Sequence, residues 1–410
     1  MTTFAVPETS QAPIHSRAGV WLSRSLLLLL SVAIPLVGLE VAFRTFGPFL
    51  PGNYPAALYL EPHPVYGFFH VPNSIGWLKT DEYTVRVEIN SRGLRERELA
   101  YDKPANVRRV LVLGDSFVEG AQVVTEHLLT RRLEALLTER TGLPHEVINA
   151  GVAAWGTDQE YLFLQREALR YQPDLLVVLF YSGNDVTNNS NKIKRTAGQP
   201  RKPYFELTAT GELRPQAFVP RAPREDDVDE QLRRSSLVYA LLHGPAIQGM
   251  KALQPPSQSD VRGDESPEGQ LVRHELPIFA EQSNARWNEA WKVTEALLIA
   301  MRRIADAHDT PLLLVNAPTK WEIYPADWDE IRQRNGLPMS GWNLNTPGRR
   351  LAEIAERGGI EYLDLRPRLQ HAASGPRLYY SHDIHWTAHG HATAAHAIAE
   401  TLLAQRKAAR

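Results

Sequence analysis

From residue 108 onward the chain alternates short apolar runs with amphipathic stretches, and this alternation limits the fold more than any other feature of the sequence. The apolar runs are RVLVLG, EVIN, DLLVVLFY, PLLLVNAP and IEYLDL. Helix patterns separate them. TEHLLTRRLEALLTERTG has Thr125 as an N-cap and Gly142 as a stop, and the capping-box pattern TDQE (Thr157 to Glu160) opens a helix to about Tyr171. Further helices are expected over Asn284 to His308, over Arg349 to Arg357, and after Thr387. DLLVVLFY is apolar on both faces, as a central parallel strand must be. Strands alternating with helices predict an α/β fold in three layers, a parallel five-stranded sheet with helices on both sides.

In open sheets of this kind, sites form at the carboxyl ends of the strands. Four segments with chemistry fall there. The first run leads into Gly114-Asp115-Ser116. Ser116 stands in the turn to the next helix, where it presents its hydroxyl and its own N–H to a ligand, or serves only as a helix cap. Val118 rules out the G-x-S-x-G elbow, and Asp115 reads as a turn-holding residue. Gly151 follows the second strand and offers a bare backbone N–H. Asn184 follows the third, where its amide donates to an oxyanion or forms an Asx turn. Asp383 and His385 lie just before the last helix, a carboxylate beside an imidazole as a serine hydrolase requires.

In this order and at these positions, the four segments resemble the SGNH hydrolase superfamily, the GDSL-type esterases. The resemblance runs from roughly Arg108 to the C-terminus, with one insertion set aside. It implies a flavodoxin-like sandwich and acyl transfer from an ester. Ser116 is then the nucleophile, His385 the general base and Asp383 its orienting acid. The Ser116 and Gly151 N–H groups and the Asn184 amide form the oxyanion hole. The chain departs from the family pattern twice. Ser182 stands where a glycine is usual, and the acid lies two residues before His385 instead of three, where His382 stands. The resemblance implies no cofactor. His385 and His389 are spaced to share a metal on a helix, but the other three blocks account for His385 without one. The expected substrate is an acyl ester, O-acetyl and glycan-borne esters included. An O-acyltransferase acting on a cell-envelope polysaccharide and a non-catalytic glycan-binding module are the alternatives.

The formal net charge of −2 and the lack of a basic stripe exclude electrostatic capture of nucleic acid. With no cysteine, thiolate chemistry and disulfides are excluded. SLLLLLSVAIPLVGL (Ser25 to Leu39) is uncharged and bracketed by Arg24 and Arg44. Between those arginines lies about 30 Å of helix at about 1.5 Å per residue, enough to span a bilayer. Glu40 and Arg44 are placed to meet headgroups. With Arg17 and Arg24 ahead of the run, an uncleaved signal anchor is preferred over a cleaved signal peptide, leaving the bulk of the chain extracytoplasmic.

The expected layout is a cytoplasmic tail at 1–24, a transmembrane anchor at 25–44, a β-rich lead-in at 45–107 and the hydrolase-like domain at 108–410. EYTVRVEIN (Glu82 to Asn90) is a strand in the lead-in. A polar insertion at about 190–280 reads as mobile, a lid or filler, with a short helix at Leu237 to His243. Trp155 and Trp386 are sugar platforms or core residues. Lys320 and Trp321 line a pocket or an ordinary loop. His389 and His391 are exposed or capping residues on the last helix.

Overall fold

The apolar runs lie side by side, because each has two buried faces that only neighbouring strands and covering helices can satisfy. The structure, a computed structural model, describes residues 17–49, 51–54, 60–193, 202–220, 228–243 and 276–408. Its strands in chain order are β1 (Gly52–Tyr54), β2 (Leu60–His63), β3 (Gly67–His70), β4 (Ile75–Lys79), β5 (Thr84–Glu88), β6 (Arg108–Gly114), β7 (His145–Gly151), β8 (Leu175–Tyr181), β9 (Phe205–Leu207), β10 (Leu213–Pro215), β11 (Leu312–Ala317) and β12 (Glu361–Asp364). The five predicted runs form one sheet in the order β7-β6-β8-β11-β12. All of its pairings are parallel. The chain therefore starts inside the sheet, moves outward to β7, then crosses to β8 and continues the other way. The switch point lies between β6 and β8, and sheets of this kind bind ligands beyond the strand ends at that point.

Alternation along the strands divides the core into two layers. Leu111, Leu113, Ile148, Val178 and Leu314 pack with the helices Thr157–Arg166, Ala285–Ala307 and Thr346–Gly358. Val110, Val112, Val147, Val177 and Leu313 pack with Leu129–Thr141, Arg366–Ala372 and Ala388–Ala408.

Two helix starts differ from expectation. Thr125 opens only a 3-10 turn, and the α-helix begins at Leu129, because Leu128 has an extended backbone and is buried in the core. Thr157 is no N-cap. Gly156 occupies that place without a side-chain bond, and Thr157 and Glu160 are both buried.

The lead-in does not stand apart from the sandwich. Tyr66, Phe68, Phe69 and Leu94 share the first core layer with Trp155 and Phe163. β4 pairs with β1 and with β5, all antiparallel. The expected strand over Glu82 to Asn90 shortens to β5, leaving Glu82 and Tyr83 in the turn before it.

The described parts of the 190–280 insertion pack on the body. β9 and β10 form an antiparallel hairpin, and Phe205 joins Val293 and Leu297 of the helix Ala285–Ala307. Residues 237–243 are helical, with Leu237, Val238, Ala240 and Leu241 buried against Phe43. The rest of the insertion, including all of 244–275, lies outside the described residues.

Phe43 belongs to the N-terminal helix Arg17–Phe46, which is long and apolar enough to cross a membrane over Val20–Phe46. Glu40 and Arg44 bond to the segment 235–238. The Glu40 carboxylate accepts the backbone N–H groups of Leu237 (3.1 Å) and Val238 (3.0 Å) and the Ser236 hydroxyl (2.9 Å). Arg44 donates to the Ser235 carbonyl at 2.6 Å and to Glu40 at 2.8 Å. A carboxylate on the orphan N–H groups of a helix start satisfies both partners, which explains an acid at the end of so apolar a run.

Candidate active site

β6 ends at Gly114, and the chain turns at once into the short helix Ser116–Glu119. The Asp115 carboxylate caps it, accepting the Phe117 N–H at 2.9 Å. Gly120, at φ +65°, ends it in a left-handed conformation that costs a residue with a Cβ about 1–2 kcal/mol. Ser116 is thus the first helical residue. Its N–H is one of the orphan donors of the helix start, and its hydroxyl is partly exposed and meets His385.

Asp383 and His385 reach that hydroxyl from the far end of the chain. The Asp383 Oδ1 atom accepts the His385 backbone N–H at 2.9 Å, and this short turn folds the imidazole back onto the same oxygen. His385 Nδ1 then lies 2.5 Å from Asp383 Oδ1, and Nε2 lies 2.7 Å from Ser116 Oγ. An ionised carboxylate only accepts, so Nδ1 carries the proton and Nε2 receives the serine hydroxyl. The turn explains how an acid two residues away, not three, meets the ring.

Burial disfavours charge on both partners, but their mutual hydrogen bond and attraction outweigh it. Asp383 is held below the usual carboxylate range, and His385 above the usual imidazole range, with Asp115 and Glu119 adding to the latter.

The structure places the other two predicted residues differently from one another. Asn184 follows β8, and its amide NH₂ has no protein partner among the described residues, while its Oδ1 is buried without one. The Gly151 N–H is not bare. It donates to Asn149 Oδ1 at 3.0 Å inside the core. A Cβ at Gly151 would lie 2.2 Å from the Glu119 N, so the glycine is needed for β7 to pass the Ser116–Glu119 helix. The exposed turn beyond it carries Ala154, at φ +63°, a conformation uncommon for a residue with a side chain. The Ala154 N–H has no partner among the described residues, and its carbonyl lies 3.4 Å from the Asn188 amide.

Ser182, in the place of a usual glycine, donates to Asn316 Oδ1 at 2.6 Å, and Asn316 donates to Asp364 at 2.9 Å. The substitution thus ties together the ends of β8, β11 and β12. Trp155 and Trp386 are fully buried and belong to the core. Trp321 is buried, and Lys320 donates to the Ser381 carbonyl at 3.1 Å. His391 is buried and accepts the Leu129 N–H at 3.2 Å, so it caps a neighbouring helix and not its own. Burial pushes its pKa down to about 3.

Three supports were not legible in the sequence. Arg95 of the lead-in is buried, donating to the carbonyls of Glu119 (2.9 Å), Gly120 and Val123 (2.7 Å). It clamps the turn that follows Ser116. Arg95→Leu leaves those acceptors buried and should lower unfolding stability by about 3 kcal/mol or more, measured by chemical denaturation. Lys202 of the insertion is buried 2.5 Å from Asp158, beside the buried Glu160 and Asp185. Burial and mutual repulsion hold Glu160 and Asp185 well above the carboxylate range. The third support, Glu82 and Tyr83, contacts the Asp383 segment. In sequence Arg95 and Lys202 are only cations beside other cations, in RGLRER and RKP, and surface cations look the same.

Two family models match this chain. A GDSL-like lipase/acylhydrolase family matches residues 112–234, and an SGNH hydrolase-like domain described as acetyltransferase AlgX matches residues 279–410. No curated protein matches the sequence. Among solved structures, an acetylxylan esterase from Geobacillus stearothermophilus is 12% identical, with 72% of this chain and 93% of that chain covered and a TM-score of 0.37. A GDSL-like lipase from Bacteroides thetaiotaomicron is 11% identical (75% and 93% covered, TM-score 0.35). An α/β hydrolase enzyme from a Lake Arreo metagenome is 13% identical (73% and 95% covered, TM-score 0.38).

Proposed function

Since the chain belongs to the SGNH hydrolase superfamily, whose members hydrolyse or transfer acyl esters, we propose that it cleaves an O-acyl ester through an acyl-enzyme on Ser116. The observation that carries this reading is the unbroken hydrogen-bonded path from Ser116 Oγ through His385 to Asp383, assembled from residues 269 apart in sequence. Ser116 Oγ attacks the carbonyl carbon while His385 Nε2 takes its proton, and the imidazolium is stabilised by Asp383. His385 then returns the proton to the departing alcohol. Water or a second hydroxyl, deprotonated by the same imidazole, releases the acyl group.

The developing oxyanion is held by the Ser116 N–H and the Asn184 amide. The third donor is the Ala154 N–H, because that of Gly151 is already engaged by Asn149. Asn184→Ala should lower kcat by about 10²–10³-fold with little change in KM. A change confined to KM would reassign Asn184 to substrate binding.

The acyl group is acetyl and its carrier a glycan. The acetyl group extends to this chain the description of the family that matches residues 279–410, an acetyltransferase. The same match favours a second reading, in which a sugar hydroxyl and not water accepts the acetyl group. The N-terminal helix anchors the protein in a membrane, with the catalytic body on the extracytoplasmic side of Arg17 and Arg24. The test is a fluorophosphonate probe followed by labelled acetyl donor with and without an acceptor glycan. Labelling of Ser116 with release of free acetate supports the hydrolase, and label in the glycan supports the transferase. No reaction at Ser116 would reduce the chain to a binding module.

A further inference from the structure

The lead-in reaches the candidate site from outside the sandwich. Thr80 and Tyr83 close the turn between β4 and β5, with the Thr80 N–H donating to the Tyr83 carbonyl at 2.8 Å. The Thr80 hydroxyl accepts the Glu82 and Tyr83 N–H groups at 3.1 and 3.2 Å. The turn is therefore fixed from within, and it presents Glu82 and Tyr83 to the segment that carries Asp383.

Both side chains are fully used there. The Glu82 carboxylate accepts three successive backbone N–H groups, those of Ser381 (2.6 Å), His382 (3.0 Å) and Asp383 (3.1 Å). The Tyr83 hydroxyl donates to Asp383 Oδ2 at 2.5 Å. The Tyr83 ring packs on Tyr380, with centroids 4.8 Å apart. Asp383 thus divides its oxygens. Oδ1 holds His385 by backbone and ring, and Oδ2 holds Tyr83.

We infer that the Glu82–Tyr83 turn is a positioning element for the acyl-transfer reaction, seating the Asp383 carboxylate and setting how strongly it acts on His385. The inference rests on the reading of Ser116 as nucleophile with His385 as its base. Glu82 holds the backbone of the acid's segment, which has no regular secondary structure of its own between Ser381 and His385. Tyr83 takes up part of the carboxylate charge through a charge-assisted bond. A carboxylate relieved of that bond attracts the imidazolium more strongly. Removing the phenol therefore raises the proton affinity of His385 and leaves less of the neutral base at a given pH. The lead-in belongs to the site, and a chain beginning at residue 108 would lack this brace.

The test uses the full chain with Tyr83→Phe, which keeps the ring on Tyr380 and deletes only the hydroxyl. The rate of fluorophosphonate labelling of Ser116 is followed against pH, and the His385 ring is titrated by NMR. The expected result is an acidic limb moved upward by about half a unit, and labelling on that limb slowed by up to about threefold. A purely structural role would lower the melting temperature and leave the limb where it was. Glu82→Gln tests the other half. It removes a charge that three N–H groups share, and should lower kcat more than it changes KM.

Wild-type labelling profiles and an unmoved His385 titration in Tyr83→Phe, with unaltered kcat in Glu82→Gln, would overturn the inference. Failure of the underlying reading looks different. Ser116 would then not label in the wild-type protein at all, and the His385 titration would still report whether Tyr83 governs it.

Discussion

Ser116→Ala should abolish turnover of a short acyl ester such as 4-nitrophenyl acetate, a fall in kcat on the order of 10⁵–10⁶-fold, the size seen when a serine hydrolase loses its nucleophile. The residual rate would be that of the oxyanion donors acting on bound ester and water. The fold should survive. Ser116 is partly exposed, and its hydroxyl bonds only to His385 among the described residues. Alanine is well suited to the first position of a helix, and the Asp115 cap acts through Phe117 and not through residue 116. The melting temperature should therefore stay within a few degrees while labelling by the fluorophosphonate disappears. Turnover at the wild-type rate would remove Ser116 from the reaction and, with it, the acyl-enzyme.

Asp383→Asn should lower kcat by up to about 10⁴-fold, the loss that follows removal of this carboxylate's charge in Ser-His-Asp hydrolysis. Asparagine can keep its carbonyl on His385 and turn its NH₂ to the Tyr83 oxygen, so the shape of the site is largely retained. What disappears is the negative charge that offsets the burial of the imidazolium. In the wild-type protein that charge holds His385 above its ordinary pKa of about 6.5. Because the base must be neutral to accept the serine proton, kcat/KM should rise with pH through a limb lying above that value. In the variant, burial acts with only Asp115 and Glu119 against it, so the limb should move to lower pH even as the plateau falls. An unchanged limb in the pH profile of kcat/KM would show that Asp383 does not act on His385.

These two variants separate the kinds of information the molecule carries. Ser116 was legible because the element around it is local. An apolar run ending in Gly-Asp-Ser is followed by a helix, and the strand end decides where the serine stands. Asn184 was legible for the same reason. Asp383 was less so, because the two-residue spacing suits the ring only after the Asx-like turn that its own Oδ1 creates with the His385 N–H. Gly151 shows the converse. A glycine after a strand reads as an open N–H, yet here its missing side chain serves backbone passage and its N–H is taken by a neighbour two residues away. The TDQE pattern misled in the same way. Its glutamate lies on a helix face turned into the protein, where Asp158 and Lys202 also lie, and burial took precedence over capping.

The sequence by itself determined the layered α/β architecture, because strand and helix periodicities are local and their alternation admits few topologies. It also determined the residue types available at the ends of β6 and β8 and before the last helix, and the apolar N-terminal helix. Only the tertiary structure decided what surrounds them. Arg95, Tyr83 and Glu82 come from the lead-in, Lys202 from the insertion and His391 from the last helix. Each meets its partner from tens to hundreds of residues away, as Tyr83 meets Asp383 across 300. A hydrogen bond depends on a few tenths of an ångström and on direction, and neither composition nor spacing encodes that across such a separation. Folding supplies it by burying both ends against the same sheet.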